Sequence, residues 1–317
     1  MKKSLLFAVA ALALALLPSP GLAKTYTVSM TQIVEHPSLD AMQKAVVDRF
    51  KEKGVDATFN IHVAQGDPSI ALQIANQIMG EHPDLAIAIT TPSAQTVKQK
   101  VKGIPIVFTG VTDPVGAGLV DSLEHPGGMV TGMTDMSPMD KHLELVRNFV
   151  PGLKSLGVIY NAGEPNSVVL IDLLKKFAAE KGVKVEEATI ATSAEVYQAA
   201  KSLVGRCQAV YVPVDNTVVS ALESAIKVCR ENKLPLFTGD TDSVARGSVA
   251  ALAVDYYKMG AQTADMAIRV LVDGEKPADM PVETIRELQL YVNKSAAAAM
   301  GLTIPPAMLE KADKVIE

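Results

Sequence analysis

The chain has no tryptophan, and aromatic residues make up only 4% of its 317 residues. Any stacking surface for a planar ligand must therefore come from tyrosine or phenylalanine. The metal-binding spacings CxxC and HxxxH are missing as well, and the five histidines are scattered. These shortages predict that the protein holds no metal and no cofactor.

Cysteine is almost as scarce, with only Cys207 and Cys229 present. Cys207 opens an apolar strand, and Cys229 lies near the end of the helix that follows and returns antiparallel. That arrangement permits a disulfide in an oxidising compartment. Two buried free thiols explain the pair equally well, because free cysteine is among the most buried residue types.

The chain also lacks runs of basic residues and known catalytic sequence motifs. The net charge is -5 at pH 7, which argues against nucleic acid as a partner. The nucleophile elbow, the phosphate-binding loop and the HExxH zinc motif are absent, so we predict a protein that is not an enzyme and has no catalytic residues. An exported hydrolase using Asp240 and Asp242 is an alternative, but neighbouring acids in a turn more often cap a helix.

Only one long apolar run occurs, and it lies at the start of the chain. Met1-Lys2-Lys3 precedes an apolar stretch from Leu5 to Leu17, and small residues occupy the end of the segment up to Ala23. This pattern predicts a secretory signal peptide over residues 1–23, cleaved after Ala23, although an N-terminal membrane anchor is an alternative. The mature protein would then start at Lys24 and be soluble outside the cytoplasm.

A long internal repeat is the most informative feature that the chain does have. Lys53-Gly54-Val55 and the run 104–110 (IPIVFTG) are matched roughly 130 residues later by Lys181-Gly182-Val183 and the run 234–239 (LPLFTG). A repeat of this length is a domain. Glycine after a charged helix end predicts a left-handed cap at both Gly54 and Gly182.

Short β-rich runs alternate with helical patterns in both copies, which predicts α/β lobes with parallel, Rossmann-like sheets. Predicted strands lie near 26–31, 57–63, 85–89 and 104–109, then near 155–160, 184–190, 208–212, 234–238 and 249–254. Predicted helices lie near 38–53, 68–80 and 93–101, then near 166–181, 193–204, 217–231, 241–246 and 256–273, with a terminal helix from about 306.

The tail of the chain sets the predicted lobe boundaries. We assign residues 24–132 and about 258–285 to the first lobe, and about 133–257 and 286–317 to the second. The chain then crosses between the lobes three times, which allows a hinge but restricts its direction.

Ligands of parallel α/β sheets bind beyond the carboxyl ends of the strands, beside helix N-termini. The loops at those ends carry hydroxyls and amides in the first lobe and carboxylates in the second, a division that suits a zwitterion. Helix capping is the competing explanation for Thr91, Ser93, Asp215 and Asp240. The predicted ligand-binding residues are Thr31, Gln32, Thr90, Thr91, Ser93, Ala94, Thr109, Val111, Asp113, Tyr160, Asn161, Asn166, Ser167, Asp215, Asn216, Asp240 and Asp255.

Three runs, at 90–95 (TTPSAQ), 107–114 (VFTGVTDP) and 212–217 (VPVDNT), make the whole mature chain resemble the substrate-binding proteins of ABC importers. Within that group it resembles the family that includes tryptophan-binding members. The resemblance implies a type I periplasmic binding protein fold with a three-segment hinge, a location in the periplasm, and a membrane permease with its ATPase as partner.

The resemblance also implies an amino-acid-like ligand, with an aromatic and an aliphatic side chain both open. Thr91 to Ala94 and Thr109 to Val111 would then take the carboxylate, and Asp215 or Asp240 the amine. Two alternatives remain, a ligand sensor that docks to a receptor, or a binder of another small polar solute such as a nucleoside or sugar. We predict a monomer that closes on its ligand.

Overall fold

The computed structural model describes residues 24–317, so the predicted signal peptide lies outside the described residues. Two sheets of mostly parallel strands are each flanked by helices. The first sheet has six strands in the order β11-β5-β4-β3-β1-β2, and the second has seven in the order β13-β12-β10-β9-β8-β6-β7. Each sheet has its own hydrophobic core, as the prediction of two α/β lobes requires.

The first sheet contains the N-terminal part of the described chain. Its strands are β1 (Tyr26–Gln32), β2 (Ala57–Val63), β3 (Leu85–Ile89), β4 (Ile106–Val111), β5 (Val130–Thr134) and β11 (Glu283–Thr284). Crossover helices α1 (Pro37–Glu52), α2 (Pro68–Glu81) and α3 (Thr91–Lys100) connect the first four strands. β3 and β4 are buried along their whole length, which explains why they lack polar alternation.

The second sheet repeats this plan. Its strands are β6 (Ser155–Asn161), β7 (Lys184–Ile190), β8 (Ala209–Val212), β9 (Leu236–Thr238), β10 (Ala250–Ala253), β12 (Gln289–Asn293) and β13 (Lys314–Ile316). Its helices are α4 (Met139–Phe149), α5 (Pro165–Glu180), α6 (Val196–Leu203), α7 (Asn216–Ser220), α8 (Leu222–Glu231), α9 (Asp242–Arg246), α11 (Lys294–Ala299) and α12 (Pro306–Glu310). The pairing of β10 with β12 is antiparallel.

The chain passes from one sheet to the other three times. It leaves the first sheet after β5, returns after β10 through α10 (Tyr256–Ile268), and leaves again between β11 and β12. A π-helical turn over Arg269–Asp273 extends α10. The strands and helices thus form two similar lobes with three connections, although the lobe boundaries of the sequence analysis stay a prediction.

The two predicted glycine caps are confirmed. Gly54 has a φ of +67° and Gly182 a φ of +66°, both in the left-handed region. The following residues donate backward to the helix, Val55 to the carbonyl of Phe50 and Val183 to that of Ala178. Because these bonds satisfy carbonyls that a helix end leaves free, both copies of the repeat end their helix in the same way.

Helix α10 belongs to the core of the first lobe, although it follows the second lobe in sequence. It packs against α1, and the approach is so close that a β-carbon on Gly260 would lie 2.3 Å from the carbonyl oxygen of Met42. Only glycine fits at that position. Met259 and Met266 of the same helix are fully buried in the first core.

Four sequence predictions need correction or completion. Helix α4 was not predicted, although Leu143, Val146 and Phe149 give it a buried face. The predicted helix 217–231 is two helices divided at Ala221, and the terminal helix ends at Glu310, before strand β13. Cys207 and Cys229 are free thiols, so the disulfide alternative is not realised. Among residues 24–317, no helix has the length and apolar character to cross a membrane.

Candidate functional site

The carboxyl ends of both sheets face each other across a cleft that contains two adjoining cavities. The inner cavity is narrow: the space within it that the centre of a water-sized sphere can occupy is ≈ 20 Å³. The outer cavity measures ≈ 420 Å³ on the same scale and opens beside it. Asn166, at the start of α5, lines both. An amino acid would therefore fill the inner cavity only if the lobes separate or the lining side chains move.

The inner cavity has polar and apolar walls from both lobes. The first-lobe side contributes His36, Ser38, Leu39, Met42, Thr90, Gly110, Thr112 and Asp135. The second-lobe side contributes Asn166, Val214, Asn216, Val219 and Asp240. Tyr256, the first residue of α10, completes the lining.

Thr90 is the most unusual residue of the first-lobe wall. Its φ of +84° and ψ of +159° lie in a region that residues with a side chain rarely adopt. The backbone is held there because the N–H of Thr90 donates to the carbonyl of Thr109 on the next strand, at 2.9 Å. Such strain of roughly 1 to 3 kcal/mol commonly marks a functional position.

Several buried polar atoms at this edge have no hydrogen-bond partner within residues 24–317. They are the hydroxyls of Thr90, Thr91 and Ser93, Oδ1 of Asn166, Nδ1 of His36 and Oε1 of Gln32. An unpaired buried polar atom costs about 1 to 3 kcal/mol of stability. Several such atoms at one site therefore indicate that a ligand or water molecules pair with them. The N-terminus of α3 adds free backbone N–H groups beside Thr91.

Asp240 joins the two lobes. Its carboxylate accepts hydrogen bonds from the N–H and hydroxyl of Ser243, at 2.8 and 2.7 Å, and from the hydroxyl of Ser38 in the first lobe, at 3.2 Å. Burial raises the pKa of Asp240 because the charged form loses its hydration. An additional cation beside it would favour the charged form.

Asp135 also lines the inner cavity, and the sequence analysis missed it. It follows β5 at the first lobe connection, and its carboxylate accepts from the hydroxyls of Thr112, at 3.1 Å, and Tyr256, at 3.2 Å. Burial raises its pKa too. Its place at the carboxyl end of a parallel strand is a signal that the sequence offers.

Asp215 is directed into the second lobe. It accepts from the N–H of Asn161, the hydroxyl of Ser167 and the N–H of Val218, at 2.6, 2.6 and 2.8 Å. Burial and the neighbouring charge of Glu164 raise its pKa. Its oxygens are occupied by the protein, as the capping alternative predicted.

Glu164, which was not predicted, completes this network. It accepts from the side chains of Asn216 and Thr217, both at 2.6 Å, and from the backbone N–H groups of the same two residues. It thereby caps α7 and fixes the orientation of Asn216 at the cavity wall.

The predicted residues occupy different positions around the cleft. Thr90, Asn166, Asn216 and Asp240 line the inner cavity, and Thr91, Asp113 and Asn166 line the outer one. Thr31, Gln32, Ser93, Ala94, Thr109, Val111 and Ser167 are buried behind these walls.

Three predicted residues have protein partners outside the two cavities. The hydroxyl of Tyr160 donates to Glu187 at 2.7 Å, and the amide of Asn161 donates to Thr217 at 2.9 Å. Asp255 caps α10 by accepting from the N–H of Lys258 at 3.0 Å. Ligand contact by any member of the predicted set stays a prediction.

Comparison with known proteins gives a consistent picture. The family described as ABC transporter substrate binding protein matches residues 27–316. A protein named tyrosine-binding protein from Clostridioides difficile is 41% identical over 283 residues, which is 88% of this chain and 82% of the relative.

Two solved structures extend the comparison. A conserved domain protein from Vibrio cholerae has 45% identity and a TM-score of 0.90, over 92% of this chain and all of the other. A domain from Streptococcus pneumoniae in complex with L-Trp has 31% identity and a TM-score of 0.89 over the same shares.

A third solved structure has a higher sequence identity than the complex but a lower TM-score. A ligand-free, open substrate-binding protein from Clostridium difficile is more identical in sequence, at 39%, yet its TM-score is only 0.68 over 92% of this chain and 99% of the other. The overall fold of this chain thus matches the L-Trp complex more closely than it matches the ligand-free, open structure, in the opposite order to the sequence identities.

Proposed function

This chain belongs to the substrate-binding proteins of ABC transporters, and from that premise we propose that it captures an aromatic amino acid in the cleft between its lobes. The tyrosine named in one relative and the L-Trp named in one solved structure support this ligand class. The apolar side chains of Leu39, Met42 and Val219 on the cavity wall suit an aromatic ring.

The observation that carries the proposal is the group of unpaired polar atoms at one edge of the cleft. The hydroxyls of Thr90, Thr91 and Ser93 lie at the N-terminus of α3, and Oδ1 of Asn166 belongs to the opposite lobe. Hydroxyls and N–H groups at a helix N-terminus suit a carboxylate. An amino acid bound there would bridge the lobes and favour the closed form.

We place the ligand's ammonium group between Asp240 and Asp135 rather than at Asp215. Asp240 and Asp135 line the inner cavity, and Tyr256 lies near both: burial raises the pKa of its hydroxyl, and each of the two carboxylates raises it further. Asp215 is less suitable because it lines neither cavity and its carboxylate is bonded to donors of its own lobe. The two acids would stay charged beside an ammonium group, because a buried charge that is paired costs less free energy than an isolated one.

Titration calorimetry with L-Trp, L-Tyr, L-Phe, L-Leu, a nucleoside and a hexose tests this proposal. We expect binding of the aromatic amino acids and none of the nucleoside or hexose. Asn166→Ala should weaken amino-acid binding because it removes a contact of the second lobe. Asn232→Ala is the matched control, since Asn232 ends α8 away from both cavities. Binding of the nucleoside or hexose alone would overturn the proposal.

The remaining features of the proposal concern the protein in its cell. We propose export to the periplasm with cleavage after Ala23, a monomer that delivers its ligand to a membrane permease, and no catalytic turnover. A receptor-docking sensor would bind the same ligand. Uptake of labelled ligand by cells with and without the gene separates the two, because a sensor's loss leaves uptake unchanged.

A further inference from the structure

One polar side chain of the inner cavity is not used by the zwitterion scheme. His36 precedes α1, is 9% exposed, and lines the cavity together with Leu39 and Met42 of that helix. Its Nδ1 is buried without a partner within the described chain. An unpaired polar atom next to the apolar side chains of Leu39 and Met42 is a position from which a ligand ring can be recognised.

The imidazole is neutral at physiological pH. Burial is the main reason and the nearby charge of Arg246 adds to it, so that its pKa is lowered to about 4. Asp40 and the side chain of Asn216 act in the opposite direction but do not outweigh them. Neutral imidazole carries one nitrogen that accepts a hydrogen bond and one that donates. Phenol O–H and indole N–H groups are matching donors, whereas a phenyl ring has none.

We propose that His36 is a specificity-determining residue that accepts a hydrogen bond from the ligand's ring, so that the site selects aromatic amino acids bearing a ring O–H or N–H over phenylalanine. The inference rests on the proposed function and adds the ring chemistry to it. When phenylalanine binds, the imidazole nitrogen stays buried and unpaired, and the cost of that atom separates the ligands.

Calorimetry on the unmodified protein is the first test. Tyrosine or tryptophan should bind at least about ten-fold more tightly than phenylalanine, the factor expected from one buried unpaired polar atom. O-methyltyrosine keeps the oxygen but has no hydroxyl hydrogen to donate, so it should bind as weakly as phenylalanine or more weakly. Phenylalanine binding as tightly as both donor-bearing ligands would overturn the inference.

Substitution supplies the second test. His36→Leu should reduce the preference for the donor-bearing ligand to within about three-fold by removing the acceptor, and His36→Gln should keep part of the preference. His142→Leu is the matched control, because His142 is also buried with an unpaired nitrogen but packs against Tyr211 in the second lobe. Its ligand ratio should not change.

The outcomes separate this inference from the proposed function. Failure of all three aromatic amino acids to bind the unmodified protein would overturn both. Binding with the same ligand ratio in His36→Leu and the unmodified protein would overturn the role of His36 and leave the proposed function standing. Should the substituted proteins not fold, the ligand series on the unmodified protein decides alone.

Discussion

The two lobes have nearly the same architecture but treat their polar loop residues differently. In the first lobe, the buried hydroxyls of Thr90, Thr91 and Ser93 have no partner in the part of the chain that the structure describes, and Thr90 is strained. In the second lobe, Asp215 and Glu164 are surrounded by donors from their own lobe. Loops at the same position in the two lobes therefore differ in how far the protein itself satisfies their polar groups. The unsatisfied first-lobe hydroxyls are the ones for which we predict ligand contact.

Asp240 is the second-lobe acid for which we expect the largest effect on binding. Asp240→Ala should weaken binding of the amino acid by about 2 to 5 kcal/mol, because the ligand's ammonium group loses a buried partner. Calorimetry measures the change. Asp84→Ala is the control, since Asp84 pairs with Lys24 at the edge of the first lobe. Unchanged affinity in Asp240→Ala would remove the assigned ammonium site.

Asp215 should show the opposite profile. Asp215→Ala should lower the free energy of unfolding by about 3 kcal/mol, because the donors from Asn161, Ser167 and Val218 lose their acceptor. Urea unfolding followed by circular dichroism measures it. A variant as stable as the parent but unable to bind ligand would reverse the comparison between the lobes.

Acidification should weaken ligand binding through His36. A solvent-exposed imidazole has a pKa of about 6.5, and burial in the cavity lowers the pKa of His36 to about 4. The form in which His36 is buried and neutral therefore has its full stability above pH 6.5. It loses stability as the pH falls from about 6.5 toward 4, because the exposed imidazole takes up a proton first. Calorimetry at several pH values should show this loss in the parent, and a smaller loss in His36→Gln. Equal losses in both proteins would assign the pH dependence to other groups.

Thr90 gives the smallest expected effect. Thr90→Gly should raise the free energy of unfolding by up to about 1 kcal/mol, because glycine adopts a φ of +84° without the strain of a side chain. Binding should weaken in the same variant, since the hydroxyl is lost. Thermal unfolding and calorimetry on one preparation test both. A stability loss would show that the Thr90 side chain supports the fold.

The sequence predicted the architecture well because its signals are local. Buried strands such as Leu85–Ile89 read as uninterrupted apolar runs, and Gly54 and Gly182 marked equivalent helix ends. Helix α4 was not predicted, and it begins at Met139 without a side-chain cap that would have marked its start.

The site was predicted less completely, because ligand contact depends on which way a side chain turns. Asp215 and Asp240 both follow second-lobe strands, yet one is enclosed by its own lobe and the other reaches Ser38 across the cleft. His36 and Asp135 lie outside the three runs that carry the family resemblance, although Asp135 directly follows the parallel strand β5. Only the packing of both lobes brings them to one cavity.

The contribution of α10 to the first core sets an order of events during synthesis. Met259, Met266 and Met280 are buried in that core, but ribosomes make them only after five of the seven strands of the second sheet. The N-terminal lobe must therefore wait, with the face of α1 uncovered, while the later lobe already has most of its strands. A fragment ending near residue 134 would lack this covering helix, so we expect the first copy of the repeat to aggregate when it is produced alone.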